Sequence, residues 1–250
     1  MSNETLQGIQ NRKSVRVFEK KDIPEEIRSQ LLEAALQAPT AGNQILYTIL
    51  DIRDQTLKDS LAKSCDHQPF IATAPMVLVF LADCRRWMDI YREADAPHRA
   101  PGPGDLLLAC ADALIAAQNT VVAAHSLGIG SCYIGDIIEN CEQHRSVLHL
   151  DQYTVPVCMV VYGYPTEQQK SRPKPLRFNR QYIVQQNTYR PLSPQQIRTM
   201  FTEVHPQPEF DFNSYIQAFC ARKYMSDFSL EMSRSAADYL KSFSSWVSEE

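Results

Sequence analysis

The stretch from Asp105 to Ala124 constrains the fold of this chain more than any other feature. It reads Asp-Leu-Leu-Leu-Ala-Cys-Ala-Asp-Ala-Leu-Ile-Ala-Ala-Gln-Asn-Thr-Val-Val-Ala-Ala. The pattern predicts a helix over residues 105–127 that ends at Gly128, since glycine tolerates the left-handed backbone found after helices. A helix that is apolar nearly all round has to be buried on every side, either in a core or between subunits. We therefore expect a central helix that also serves as the spine of a dimer.

Composition narrows the class of protein. The chain has 250 residues, enough for one large domain or two small ones, and a formal net charge of −4 without a long basic run. This argues against a nucleic-acid partner. Polar residues interrupt the apolar stretches and no signal peptide opens the chain, so we expect a cytoplasmic protein without a membrane span.

Cysteine and histidine usage argues against metal chemistry. The seven cysteines are an odd number and none has the spacing of a zinc ribbon, which favours reduced and mostly buried thiols. His144 and His149 are five positions apart, which does not suit a helical zinc site. No Walker loop, nucleophile elbow or dinucleotide fingerprint is present, so any cofactor must be held in another way.

The remaining pattern predicts helices and strands in alternation. Residues 3–11 and 56–63 are predicted to be helical, and another helix begins at Pro24 and stops before Pro39. Strands are predicted over residues 46–52, 76–82 and 157–162.

Two further segments have a distinct composition. Residues 85–104 are rich in proline, glycine and charge and contain Trp87 and Tyr91, which predicts a loop or short helices that could form a lid. Residues 186–250 form a polar helical extension whose aromatic residues need a surface to cover, on the body or on a partner subunit. Residues 1–185 form the main domain. The aromatic residues of the extension include Phe201, Phe210, Phe212, Tyr215, Phe219, Tyr224, Phe228, Tyr239, Phe243 and Trp246.

A cationic segment near the start suggests a phosphate site. In Arg12-Lys13-Ser14-Val15-Arg16 two guanidinium groups flank a hydroxyl, and both groups are good donors to phosphate oxygens. If the segment is extended, Ser14 and Arg16 share one face and Arg12 reaches in from the preceding turn. A solvated surface stretch is the alternative interpretation.

Four later segments add polar or close-packing groups in a fixed order. They are the turn Pro39-Thr40-Ala41-Gly42-Asn43, then Gln68, then the glycine-rich Gly128-Ile-Gly-Ser-Cys-Tyr-Ile-Gly135, and finally Arg172-Pro-Lys174-Pro-Leu-Arg177. Together with R-K-S-V-R-V-F near the start, they resemble the FMN-dependent nitroreductase family. The closest match is its subgroup of oxygen-insensitive nitroreductases and flavin reductases with a C-terminal extension.

The resemblance implies a fold and a set of FMN contacts. The implied fold is α+β, with a mixed and mainly antiparallel sheet flanked by helices, assembled as an intertwined homodimer around the long central helix. The turn at residues 39–43 would be offered to the flavin by the partner subunit. The implied cofactor residues are Arg12, Lys13, Ser14, Arg16, Pro39, Thr40, Ala41, Asn43, Gln68, Tyr133, Ile134, Gly135, Lys174 and Arg177.

Two departures from the subgroup leave contacts open. An extra residue, Leu176, separates the late lysine and arginine, so Arg172 could take over one phosphate contact from Lys174 or Arg177. The subgroup also has an arginine-bearing loop that binds the extra phosphate of NADPH. The corresponding stretch of this chain, around residues 221–224, looks shorter. Arg222 and Lys223 could serve, or could form a solvated helix face, and the choice between NADH and NADPH stays open.

The implied activity is NAD(P)H oxidation by way of FMN. A hydride would pass through flavin N5 to a nitroaromatic, quinone or flavin acceptor in a ping-pong mechanism, and the protein would supply no catalytic side chain. Cys132 would be a packing residue rather than a reactive thiol. The alternatives are a specialised family member that consumes flavin or removes halogen, and a flavin-binding protein without turnover.

Overall fold

The computed structural model describes residues 3–244, which divide into two compact units. One unit comprises the chain up to Arg172 together with residues from Glu231 onward, and the other comprises Pro173–Leu230. The predicted boundary between a main domain and an extension at residues 185/186 stays a prediction. Trp246 lies outside the described residues.

The first unit contains most of the regular structure. Its helices are α1 (Glu4–Asn11), α2 (Glu25–Leu36), α3 (Gln55–Ser64), α4 (Pro69–Thr73), α5 (Arg85–Glu93), α6 (Pro103–Ser126), α7 (Cys141–Val147) and α8 (Glu167–Ser171). Its strands are β1 (Tyr47–Asp51), β2 (Met76–Asp83), β3 (Gly130–Ile134) and β4 (Thr154–Gly163). All predicted helices and strands are confirmed to within a few residues. The sequence pattern did not predict β3, α7 or α8 and placed no helix at α4.

The strands form an antiparallel sheet in the order β1-β2-β4-β3. Alternate residues of β2 face opposite layers. Met76, Leu78 and Phe80 pack with α2 and α6, while Val77, Val79 and Leu81 pack with α3 and α4. An isolated parallel bridge between Ser14 and Ser131 joins a further segment to this sheet, so the pairing as a whole is mixed. The predicted α+β class, with helices on both faces of a mainly antiparallel sheet, is confirmed.

The long helix α6 is buried along one face only within a single chain. Its buried residues are Leu106, Ala109, Asp112, Ala113, Ala116, Ala117, Thr120, Val121 and Ala124. Leu107, Leu108, Leu114 and Ile115 are exposed, by 71%, 52%, 44% and 39%. By length and hydropathy α6 could also cross a membrane, but its buried face packs against the sheet as a core helix does.

The segment after β2 is partly helical, as predicted. α5 covers its first half, and residues 94–102 have no regular structure. The Trp87 indole Nε1 donates to the carbonyl oxygen of Gln44 at 2.8 Å, and the Trp87 and Tyr91 rings lie 5.6 Å apart. Trp87 therefore anchors this segment next to the turn at residues 39–43.

The second unit is helical and has its own cluster of rings. It contains α9 (Arg180–Ile183), α10 (Pro194–Val204) and α11 (Phe212–Lys223). His205 stacks on Phe210 with ring centroids 4.5 Å apart and contacts Tyr215 at 4.4 Å. α12 (Asp227–Lys241) carries the chain back into the first unit, where Tyr239 and Phe243 are buried.

Candidate functional site

The cationic segment at residues 12–18 lies extended beside the edge strand β3. The backbone N–H of Val15 donates to the carbonyl oxygen of Ser131 at 2.9 Å, and Phe18 forms a second bridge with Pro165. Val15 is buried, whereas Arg16 is exposed. Val17 is exposed as well, so burial does not alternate strictly along the segment, and a shared face for Ser14 and Arg16 stays a prediction.

Two glycines make this close approach possible. Gly130 and Gly163 are partners in the register of β3 and β4. A Cβ atom at Gly130 would lie 2.6 Å from Val15 Cγ2, and one at Gly163 would lie 2.6 Å from Phe18 Cδ1. Since real Cβ atoms do not approach so closely, side chains at these positions would push the segment off the sheet.

Two guanidinium groups at this segment have buried donors without partners. Arg172 Nη2 donates to the carbonyl oxygen of Ser14 at 2.5 Å, which places Arg172 at the segment. Arg172 Nε and Arg12 Nη1 are both buried, and no acceptor among residues 3–244 contacts either atom. A buried N–H group normally has an acceptor, so these two atoms indicate that an anionic ligand completes the site.

Lys13 has a different environment. Its Nζ donates to the carbonyl oxygen of Lys170 at 2.7 Å and to that of Arg172. These bonds tie the end of α8 to the cationic segment. The structure thus gives the Lys13 ammonium a structural task, and a direct contact with FMN stays a prediction.

A cleft with a cavity volume of about 750 Å³ opens between α1, α2 and α6 near Arg12. The pKa of His125, which lines it, is lowered by burial and by the Arg12 guanidinium. Burial raises the pKa of Tyr133 against the opposing effect of Arg12, and its hydroxyl donates to Gln118 Oε1 at 3.3 Å. Both groups are therefore uncharged at neutral pH, and the charge here comes from arginine.

Gln68 is fixed beside the segment that follows β3. Its Nε2 donates to the carbonyl oxygen of Cys65 at 2.9 Å and to Asp136 Oδ2 at 3.0 Å. Asp136 directly follows Tyr133-Ile134-Gly135. The structure thus brings Gln68 together with these three predicted residues, as it does Arg12, Ser14 and Arg16 with β3.

The turn at residues 39–43 is held by Asp112, a buried residue of α6 that the sequence analysis did not single out. Its carboxylate accepts from Thr40 Oγ1, from the N–H of Ala41 at 3.1 Å and from the N–H of Leu46 at 3.2 Å. An aspartate inside an otherwise apolar helix is the signal that could have identified it, because a buried carboxylate needs such donors.

Within one chain this turn lies far from the cationic segment. The turn contacts Asp112, and Arg12 lies beside His125, thirteen positions further along α6. A rise of 1.5 Å per residue separates these positions by about 20 Å along the helix. The structure of a single chain does not bring the two parts of the predicted site together.

The late cations belong mostly to the second unit. Lys174 and Arg177 lie there, so their contact with the segment at residues 12–18 stays a prediction. Arg222 lies over the Phe219 ring at 5.5 Å and Lys223 over the Phe228 ring at 5.6 Å, at the end of α11.

Thiols and metal-binding groups have ordinary structural surroundings. Cys132 is 1% exposed in the core and burial raises the pKa of its thiol, as expected of a packing residue. Cys141, Glu142 and Asp238 lie close together, but the two carboxylates are paired with Arg234 and Arg145. All seven cysteines are free thiols.

The sequence profile of the nitroreductase family matches residues 9–164, more than half of the chain. The chain belongs to this family. An "NADPH-dependent oxidoreductase" from Staphylococcus saprophyticus is 30% identical over 191 residues, which cover 76% of this chain and 75% of that protein. Membership confirms the resemblance and makes the chain an FMN-dependent oxidoreductase, as the sequence predicted.

Solved structures agree with this assignment. Nitroreductase A from Vibrio parahaemolyticus superimposes with a TM-score of 0.78 at 26% identity, covering 88% of this chain and 92% of that one. The NADPH:FMN oxidoreductase from Vibrio harveyi, solved with NAD+, has a TM-score of 0.79 at 22% identity and covers 95% and 98% of the two chains. The latter comparison establishes a shared fold.

Proposed function

We propose that this protein oxidises NADH or NADPH and reduces small aromatic acceptors, such as nitroaromatics, quinones or free flavin, in two half-reactions at one site. The observation that carries the proposal is the pair of buried, unpartnered donors on Arg12 and Arg172 beside β3. The Staphylococcus saprophyticus protein, named as an NADPH-dependent oxidoreductase, supports NADPH as the donor.

The residues present fit the phosphate of FMN. A phosphate monoester carries roughly −1.5 to −2 charges near neutral pH and three acceptor oxygens. Arg12 Nη1 and Arg172 Nε would donate to it, with Ser14 between them. Gln68 and the backbone of Tyr133, Ile134 and Gly135 would contact the rest of the cofactor. Bound FMN supplies the hydride-accepting centre, so the protein needs to bind, orient and shield rather than supply a nucleophile.

We further propose that the working molecule is a homodimer. The exposed apolar residues Leu107, Leu108, Leu114 and Ile115 form a continuous part of α6, and such a surface is typical of an interface. Two-fold pairing of α6 would set the turn of one copy, with Pro39, Thr40, Ala41 and Asn43, against the cationic segment of the other.

Three further proposals concern the aromatic residues near the turn, the contacts of NADPH and the location of the protein. Trp87 and Tyr91 are anchored next to that turn, so in the dimer they would border the face that donor and acceptor share. Arg222 and Lys223 are the candidate contacts for the extra phosphate of NADPH. Reduced, largely buried cysteines support a cytoplasmic location.

Stopped-flow reduction of the purified FMN complex by NADPH and by NADH tests the proposal. We expect rapid bleaching of the flavin with either donor, followed by reoxidation on mixing with a quinone or nitroaromatic, and parallel double-reciprocal plots in the steady state. Flavin that stays oxidised with both donors would identify a binding protein without turnover. Intersecting plots would place donor and acceptor in separate pockets.

A further inference from the structure

Glu139 is a buried carboxyl group for which the proposed reaction has no use. It follows the 3-10 turn Asp136–Ile138 and is 5% exposed. Its Oε1 is fully buried and has no hydrogen-bond partner within residues 3–244, while its side chain forms a hydrogen bond with the side chain of Asp136. Two carboxyl groups in this arrangement share a proton more readily than they carry two charges.

The surroundings of Glu139 favour the protonated form. The carboxyl groups that act on it come from three elements: Asp136 from the 3-10 turn, Asp66 from the turn after α3, and Glu231 from α12. Glu231 is itself paired with Arg234 of α12 at 2.7 Å, so its effect is the weakest of the three. Burial first, and then these carboxyl groups, raise the pKa of Glu139 to about 7. His144 of α7 contacts the Glu139 backbone, and burial lowers the pKa of His144, so it adds no positive charge at neutral pH.

Asp136 connects this proton to the candidate cofactor site. Its Oδ2 accepts from Gln68 Nε2 at 3.0 Å, and the carbonyl oxygen of Cys65 accepts the second N–H of that amide at 2.9 Å. Both amide hydrogens of Gln68 are therefore used inside the protein. Its Oε1 remains as the group that a ligand can contact, and it can only accept a hydrogen bond.

We propose that Glu139 is a positioning residue that, through Asp136, holds Gln68 as a hydrogen-bond acceptor for the cofactor. The inference rests on the proposed function, because the ligand is taken to be FMN, whose ring N3–H or ribityl hydroxyls are suitable donors. When Glu139 gives its proton to solvent at higher pH, two negative carboxylates face each other. Asp136 then moves, and the orientation of Gln68 is lost.

FMN affinity measured by fluorescence quenching between pH 6 and 9 tests whether Glu139 positions Gln68. The wild-type affinity should fall by roughly two- to tenfold as the pH rises through about 7, the scale of one lost hydrogen bond. Glu139→Gln cannot ionise and can still donate to Asp136, so its affinity should stay level to pH 9. Glu142→Gln is the matched control, since Glu142 is exposed and paired with Arg234, and it should follow the wild type.

The same fall in wild type and Glu139→Gln, or a flat wild-type profile, would overturn the proposal. A second readout is the unfolding of the apoprotein. A raised pKa means that stability present below pH 4.5 is lost as the pH rises to about 7, so Glu139→Gln should become more stable than wild type across that window. If no variant bound FMN at any pH, the proposed function would fail. The unfolding profile would still show whether Glu139 keeps its proton.

Discussion

At the scale of single residues, an unpartnered donor is the most informative kind of atom in this site. Arg12 Nη1 and Arg172 Nε are buried and have no acceptor among residues 3–244, whereas the neighbouring Lys13 ammonium donates to two carbonyl oxygens. The difference separates the cations proposed to bind a ligand from a cation that stabilises the fold. Sequence alone treats all of them as equivalent members of one basic segment.

Arg12→Ala should weaken FMN binding by about 1.5–3 kcal/mol, roughly a 10- to 150-fold rise in the dissociation constant, because a charged hydrogen bond to phosphate is lost. Equilibrium dialysis measures the change. Arg92→Ala is the control, as Arg92 is about half exposed and paired with Asp89 at 3.0 Å. Equal FMN affinity in Arg12→Ala and wild type would remove Arg12 from the site.

Asp112→Asn should destabilise the fold by about 1–3 kcal/mol, because the new amide NH₂ faces N–H and O–H donors that the carboxylate now accepts. Urea denaturation followed by circular dichroism gives the free energy of unfolding. Thr40→Val removes one of the three donors to the carboxylate and also the acceptor of the Ile45 N–H, so it should destabilise the fold as well. If Asp112→Asn were as stable as wild type, water would have to replace the carboxylate at the turn.

Candidate site residues could be picked out where a short motif carries them and not where packing decides. The cationic segment stands out in the sequence, and Gln68 follows from the family resemblance. Asp112 is marked by its place in an apolar helix, whereas Glu139 looks like an ordinary acidic residue of a loop. Their importance arises from burial against donors or other carboxyl groups, and burial depends on contacts between distant parts of the chain.

At the scale of elements, the site depends on one extended segment lying on the edge of the sheet. The segment follows α1 and meets β3 and the end of β4 through Ser14, Val15 and Phe18. Gly130 and Gly163 leave the space that it occupies. The position of the donors proposed to bind phosphate thus depends on two residues that have no side chain.

Gly130→Ala should destabilise the protein by about 1–3 kcal/mol and loosen FMN, because the new methyl group overlaps Val15. Thermal unfolding and FMN retention on gel filtration measure both effects. Val15→Ala in the same chain should restore part of each loss. Gly104→Ala, with nothing within 4 Å of its Cβ, is the control and should be neutral or slightly stabilising. Normal FMN retention in Gly130→Ala would show that the segment can shift without harm to the site.

Most elements could be predicted because their apolar periodicity is strong, as in α6 and the buried strand β2. β3 was missed since Gly130, Ser131 and Cys132 lack the bulky residues typical of strands. The same small residues that hide this strand from the pattern admit the cationic segment. The strand that the sequence pattern failed to predict is therefore the one that lies at the candidate site.

At the scale of the whole molecule, α6 has two apolar faces with different tasks. One packs on the sheet, and the other exposes Leu107 and Leu108 in a single chain. The turn held by Asp112 and the segment near His125 lie about 20 Å apart along the helix. One chain thus carries two separate parts of the proposed site, which a second copy in two-fold symmetry would bring together.

Leu107→Asp combined with Leu114→Asp should convert the dimer to a monomer, since two desolvated charges would have to be buried in the interface. Sedimentation equilibrium should show about half the wild-type mass. FMN should be lost in the same step, because the turn at residues 39–43 would no longer reach the cofactor of the other copy. Leu240→Asp, at a residue 46% exposed on α12, should leave both mass and FMN content unchanged.

Dissociation of the dimer and loss of FMN need to be measured on one sample. Only if the two occur together is a site shared between subunits supported. FMN content should track the dimer fraction as protein concentration is varied, with apoprotein accumulating as the dimer dissociates. A double variant that is monomeric, folded by circular dichroism and still loaded with FMN would show that one chain holds the cofactor alone. In that case the turn at residues 39–43 would have a structural role only, and the apolar face of α6 would need another explanation.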